Sequence, residues 1–375
     1  MRYALGFGLV CALGTIATAQ PTGKDCTNTS VSLTPLIDLA AGLYQGYEGG
    51  LYPGGIDTPP IPHLIAGINR GERVRPLNES GIPDPDGTIV LLTIGMSNTG
   101  IESNALIDRY GHFANSNARV KVVNGAQSGQ TAAIIADPSA AYWSNVLAKL
   151  EAANVSPAQV QAVWLKEADK NPTDPFPVHA ETLRDEFESI VNILTDMFPN
   201  LRQCTLSSRI YAGYGPGPLN PEPYAYESGF SVKWLIEDQI QGKPSLNFHP
   251  LQGPVEAPWL GWAAYTWADG LVPRSDGLIW ECDDFASDGV HPSQQGAAKV
   301  ANMLVQTWAN DPTTRPWFVG CQPDMTNDGN LNIFDYIAFS NAYVNNSLLA
   351  DCDHDRSLSI FDFICFGNQF SMGCQ

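Results

Sequence analysis

The sequence predicts an α/β chain: a five-stranded parallel sheet with helices on both sides, followed by a small all-α module at the C-terminus. Three observations predict it. Five short runs rich in Val, Ile and Leu alternate with helical patterns between Thr88 and Ala309. Most of those runs are apolar throughout rather than alternating, as expected of strands covered on both faces. Residues 324–343 and 351–370 repeat one pattern at an offset of 27, with acidic positions spaced as in a calcium loop.

Composition narrows the function classes. The 375 residues carry 39 acidic and 20 basic side chains, a formal charge of −19. Such a surface repels phosphate backbones, which excludes nucleic acid as a partner and argues against binding to anionic membranes through basic patches. At the N-terminus, Arg2 precedes an apolar run from Ala4 to Ile16 and a small-x-small sequence, Ala17-Thr18-Ala19. This reads as a signal peptide over 1–19, cut before Gln20, and predicts bacterial-type export to the cell surface or beyond. No later run is long and apolar enough to span a bilayer. Of the eight cysteines, Cys11 would leave with the signal, so seven would remain, an odd number, in an oxidising setting.

Taken in order, residues 20–86 are rich in Gly and Pro and read as an irregular arm, with one short helix near Leu36 to Leu43. The main body is expected over 87–312. Its strand candidates are 88–95, 118–125, 160–166, 200–211 and 276–284. Helical patterns fall at 101–116, 139–153, 179–198, 226–241 and 293–309, the last with Ser293 as N-cap. The connection 211–267 is long for an α/β fold. It holds eleven Tyr, Trp and Phe side chains, from Tyr211 to Trp267. These are expected either to form an aromatic surface for sugars or aryl esters, or to pack as the insertion's own core. The terminal module begins near Thr313 and runs to 375.

In parallel sheets, sites form at the carboxyl ends of the strands. The first strand, "TIVLLTIG", ends at such a place, and Ser97 follows it. A serine hydroxyl needs a base, usually histidine, oriented by a carboxylate. Of the six histidines, His291 lies in "FASDGVHPSQQG", a loop before the last helix, with Asp288 three residues earlier. A loop of Asp-x-x-His type can turn both side chains toward one sheet edge.

These blocks resemble the SGNH (GDSL-type) hydrolase superfamily, with Gly95-Met96-Ser97-Asn98 as the nucleophile block and Asp288-x-x-His291-Pro292 as the late block. The resemblance covers roughly residues 88 to 310. It implies a flavodoxin-like three-layer α/β/α fold and a Ser97–His291–Asp288 triad. It carries an oxyanion-binding backbone N–H to Gly125 in "VVNGAQSGQT". The family's oxyanion Asn has no clear counterpart: "VWLKEADKNP" puts Asp169 at the corresponding place, with Asn171 nearby. A carboxylate there would repel a developing oxyanion. Near the same edge, Lys166 and Arg209 close the third and fourth strands, and each is expected either to bind an anionic substrate group or to form an ion pair.

In the C-terminal repeat, Asp324, Thr326, Asp328, Asn332 and Asp335 take positions 1, 3, 5, 9 and 12 of a twelve-residue loop, with Asn330 at 7. Asp351, Asp353, Asp355, Ser357, Ser359 and Asp362 do the same in the second copy, where Arg356 replaces the usual glycine. An apolar helix follows each. The pair resembles a type I dockerin, which implies structural Ca2+ and a cohesin-like or cell-surface partner. Ile-Phe stands at positions 10 and 11 of both loops, where cellulosomal dockerins carry small polar residues. That leaves surface attachment or docking on the body itself equally open. Cys321 and Cys374 bracket the repeat, and a disulfide between them would contribute ~4 kcal/mol in the chain-entropy model. Cys352–Cys365 and Cys204–Cys282 are further candidate pairs.

The expected function is a secreted serine esterase, needing no cofactor for catalysis, acting on an ester-bearing small molecule or on acetyl groups of a polysaccharide. The alternative is a non-catalytic α/β protein that binds glycans through its aromatic segment.

Overall fold

The computed structural model describes residues 23–374, so the expected signal peptide lies outside the described residues. At its centre is a five-stranded, all-parallel sheet. Its strands are β1 (Ile89–Gly95), β2 (Val120–Asn124), β3 (Val160–Lys166), β4 (Gln203–Leu206) and β5 (Trp259–Trp262), in the spatial order β2-β1-β3-β4-β5. Every residue of β1, β3, β4 and β5 is buried, which is why those runs lack alternation. Strand order reverses between β1 and β3, and a crevice for a site opens beside such a switch point.

Right-handed crossovers place the helices. The chain moves one way from β1 to β2 and the other way from β2 through β5, so the connecting helices fall on opposite faces. Ser97–Gly111 packs against Gln294–Asn310, while Val178–Met197 packs against Tyr224–Ile240. The Gln294–Asn310 helix starts as its sequence predicts: Ser293 Oγ accepts the Gly296 N–H.

Two of the expected elements are corrected. The fifth strand is Trp259–Trp262, not 276–284. The latter stretch is a loop with one turn at Cys282–Asp284. Its apolar centre imitates a strand because Trp280 is an anchor, fully buried with its indole N–H on the Thr266 carbonyl. The connection 211–267 is therefore part of the fold's framework rather than an insertion. Its Tyr211, Tyr226, Phe230, Trp259 and Trp267 are buried in the main core. The Gly/Pro-rich arm is also more ordered than its composition suggests, with a helix at Ile61–Gly71 and a two-stranded ribbon pairing Leu43–Tyr44 with Tyr47–Glu48.

At the C-terminus, Trp317, Phe318 and Val319 belong to the body's core. The repeats after them have a separate, small core of Phe339, Ala350 and Phe366. Each loop leads into a helix, Ile333–Val344 and Ile360–Met372. Disulfides join Cys321 to Cys374 and Cys352 to Cys365, as expected from their positions. The third disulfide joins Cys26 to Cys282 and ties the N-terminal arm to the body. Cys204, a candidate partner for Cys282, is instead a buried free thiol in β4. No helix among the described residues is long and apolar enough to cross a membrane.

Candidate active site

The buried strand β1 stops at Gly95, where a side chain is impossible: a Cβ would overlap the Lys166 carbonyl oxygen and the Thr99 side chain. Met96 is extended and the helix Ser97–Gly111 begins at Ser97 itself. A strand thus turns into a helix over two residues, and Ser97 stands half-buried at the first helical position. Its own N–H, like the others of a first turn, has no partner within the helix. Thr99 Oγ1 donates to the Lys166 carbonyl at 2.5 Å, which fixes that turn against β3.

The Asp288–His291 loop approaches from the other side. Gly289 has φ +70, and a Cβ there would overlap the Tyr214 carbonyl, so the loop needs glycine on both counts. This turn lets one carboxylate do two things. Asp288 Oδ1 accepts the N–H groups of Val290 and His291, both at 3.0 Å, and Oδ2 lies 2.5 Å from His291 Nδ1. Burial opposes ionisation of Asp288, but the His291 ring and the two amides outweigh it and hold the carboxyl below its ordinary value. An ionised carboxylate only accepts, so Nδ1 bears a proton toward Asp288, and in the neutral ring the lone pair is left on Nε2. Nε2 lies 2.7 Å from Ser97 Oγ.

Sequence reasoning missed the residue that joins the two halves. Asn98 is buried, and its amide nitrogen donates to the Val290 carbonyl at 3.0 Å. This bond straps the serine's helix to the histidine's loop. Its only sequence signal is a buried-type position next to the nucleophile block.

The remaining candidates separate clearly. Gly125 does not offer its N–H, which continues the sheet ladder to Thr93 O at 3.0 Å. Asp169 turns away: its Oδ1 accepts the Ala133 N–H at 3.0 Å, and it faces Glu186, whose carboxyl is pushed up to about 9 by burial first and by Asp169 second. Asn171 lies in a loop with φ +53, its N–H on the Pro218 carbonyl. Lys166 is sealed in the core with Glu102, at 2.6 and 2.8 Å, and both side chains are fully buried. It forms the ion pair, not an anion site. Arg209 lines the cavity over Ser97.

That cavity has a volume of about 380 Å³. Ser97 and His291 form its floor with Asn98. Met96, Leu219 and Val290 supply an apolar wall, and Ser128, Gly129, Thr131, Lys170 and Arg209 a polar one. Gly129 has φ +74 with open space beside its Cα. Among the described residues, no backbone acceptor meets the N–H of Ser128 or Gly129.

No protein-family model matches the chain, and no curated protein does. Among solved structures, a candidate acylhydrolase from Bacteroides fragilis overlaps 66% of this chain and 95% of its own, at 14% identity and a TM-score of 0.36. The periplasmic domain of a lipopolysaccharide acetyltransferase from Salmonella serovar Paratyphi A overlaps the same shares, 66% and 95%, at 13% identity and a TM-score of 0.34. A protein from Bacillus subtilis overlaps 60% of this chain and 57% of its own, at 15% identity and a TM-score of 0.32. With overlaps this loose, function rests on the geometry of the site.

The residues of the two candidate calcium loops are held by hydrogen bonds within each loop. In the first loop Asp324 is buried, and its carboxylate accepts the N–H groups of Asp328 and Gly329. Asp335 accepts the N–H groups of Thr326 and Asn332. In the second, Asp362 accepts those of Cys352 and Ser359. Carboxylate oxygens of Asp351, Asp353 and Asp355 lie within 4.8 Å of one another. Arg356 adopts φ +69 in place of the usual glycine, and its guanidinium reaches Glu72 and Asn69 of the body.

Proposed function

We propose that this protein is a serine-dependent carboxylic ester hydrolase of the SGNH type. One observation carries the reading: an unbroken relay from Ser97 Oγ through the His291 ring to Asp288, at 2.7 and 2.5 Å, on the floor of a cavity. Ser97 Oγ attacks the ester carbonyl carbon, and its proton passes to His291 Nε2. The imidazolium, steadied by Asp288, then protonates the leaving alcohol as the C–O bond breaks. Water, deprotonated by the same nitrogen, attacks the acyl-enzyme; collapse releases the acid and returns a proton to Ser97. In place of Gly125, the Ser97 N–H and the amides of Ser128 and Gly129 are the donors available to the oxyanion.

A small acyl ester, such as acetyl on a polysaccharide, suits a cavity of about 380 Å³. Three disulfides favour an exported protein. The glycan-binding alternative loses its support, because most of the aromatic side chains of 211–267 are in the core. The test is hydrolysis of 4-nitrophenyl acetate by the purified protein, which Ser97→Ala should abolish.

The terminal repeats are part of the same reading, as a calcium-stabilised module. Their donor set fits the ion: oxygen ligands throughout, three carboxylates in close array, and Asp351 Oδ1 buried without a partner. A bound Ca2+ would neutralise these carboxylates. EGTA should raise amide exchange across 321–374 and leave the body unchanged; exchange that is the same with and without calcium would remove the ion from the account.

A further inference from the structure

Two cations stand at the carboxyl edge of the sheet, and only one of them is neutralised. Lys166 holds Glu102. Arg209, three residues beyond the end of β4, is 2% exposed and lines the Ser97 cavity. Its Nε and Nη1 are buried with no hydrogen-bond partner, and among the described residues it forms no salt bridge.

None of the carboxylates around it forms a salt bridge with it among the described residues, although Glu167 Oε1 is itself buried without a hydrogen-bond partner. Glu102 is taken by Lys166. Glu222 accepts the N–H groups of Ala212 and Tyr226 and the indole N–H of Trp267. Glu167 accepts the Ala168 N–H through Oε2, and burial pushes its carboxyl well up, toward the neutral form. The guanidinium therefore sits desolvated without an ionic partner. A buried, unpaired charge is strongly unfavourable, and a planar fork of N–H groups is matched best by a carboxylate. Lys170 stands at the same cavity, and no acidic side chain lines it. In a chain of charge −19 that is a local reversal of sign.

We infer that Arg209 is the subsite for a carboxylate on the substrate, so that the ester this site prefers is an acidic one, such as an O-acylated sugar acid. This rests on the hydrolase reading and narrows it. Ser97 and His291 do the chemistry; Arg209 selects the molecule by pairing its carboxylate.

The test uses two matched pairs of esters and the full chain. Mono-(4-nitrophenyl) succinate against 4-nitrophenyl butyrate places the acid on the acyl side. An O-acetylated methyl glucuronide against the corresponding acetylated methyl glucoside places it on the alcohol side. In at least one pair the acidic member should have a kcat/KM higher by about tenfold or more, the size expected of one charge-assisted pair in a dry site. Arg209→Lys should keep part of that ratio, and Arg209→Met should bring it close to one. If Arg209→Met does not fold, the ratios of wild type and Arg209→Lys decide. No acid preference in either pair, with 4-nitrophenyl acetate still cleaved through Ser97, overturns the subsite and leaves the hydrolase. If 4-nitrophenyl acetate is not cleaved, the hydrolase reading fails, and thermal shifts with methyl glucuronide and methyl glucoside judge the subsite alone. Stabilisation by the uronide only, reduced in Arg209→Lys, supports it; equal shifts overturn it.

Discussion

The body buries Leu91, Trp164, Phe187, Tyr226 and Trp308 in one continuous core, while the repeats that follow bury only Phe339, Ala350 and Phe366 in theirs. Each large side chain withdrawn from water contributes ~1.5–3 kcal/mol, so the body has many such terms and the repeats few. The repeats make up part of the difference with two disulfides. Their Ile333, Phe334, Ile360 and Phe361 remain well exposed. The contrast explains what each region can do. Holding Ser97 2.7 Å from His291, across 194 residues of chain, needs a rigid core on both sides of the gap. The ion proposed for the repeats would need only the oxygen atoms of a twelve-residue loop.

The sharpest break between the regions is in catalysis. Ser97→Ala and His291→Ala should each lower kcat by roughly a millionfold, and the double variant should be no worse than about tenfold below either, because the pair acts as a unit. Neither change should alter amide exchange in 321–374. Kinetics that fall additively would show that the two side chains work separately. Next in size is Asp288→Asn, which should lower kcat by about ten-thousandfold by losing the tautomer that Asp288 enforces. Steady-state assays beside the Ser97 variant rank the two losses.

The third effect lies in the tail. Replacing Cys321 and Cys374 together by serine removes a cross-link spanning 53 residues. Exchange across the repeats should rise by about a thousandfold, from ~4 kcal/mol of lost constraint, while hydrolysis of 4-nitrophenyl acetate persists. Loss of esterase activity in that variant would mean that the two regions are one cooperative unit. The contacts of Arg356 with Glu72 and of Arg315 with the Asp324 carbonyl are where such coupling would run.

The smallest effect concerns Glu186, held at about 9 against an ordinary 4.5. Its folded form keeps a proton that the unfolded chain releases at lower pH. Stability is therefore favoured below the unfolded value and is lost as pH rises toward the folded one. Glu186→Gln should flatten this decline, so that Tm at about pH 8 approaches Tm at about pH 5 by a few degrees more than in the wild type. An unchanged difference between the two proteins would mean that the carboxyl is ionised in the fold.

Legibility followed the same division. The two calcium-type loops could be read residue by residue, because all their candidate ligands are local and the pattern occurs twice. Ser97, Asp288 and His291 were also readable, since a strand end and an Asp-x-x-His loop each announce themselves locally, and the sheet brings them together. What depended on the third dimension was not readable. The fifth strand is four residues of Trp, Leu and Gly, while the buried anchor Trp280 gave a better imitation of one. Gly125 looked available for an oxyanion until Thr93 was seen to take its N–H. Nothing in the spacing of Cys26 and Cys282, 256 residues apart, marks them as partners. Lys166 and Arg209 looked equivalent at two strand ends, and only burial beside Glu102 separates the paired cation from the open one.

The central claim, that Ser97 is a nucleophile activated by His291, is tested most directly by labelling the protein with a serine-reactive fluorophosphonate and locating the adduct by mass spectrometry. A single adduct on Ser97, lost in Ser97→Ala and strongly slowed in His291→Ala, is the expected result. An adduct on a different serine, or labelling of Ser97 at the same rate without His291, would contradict it.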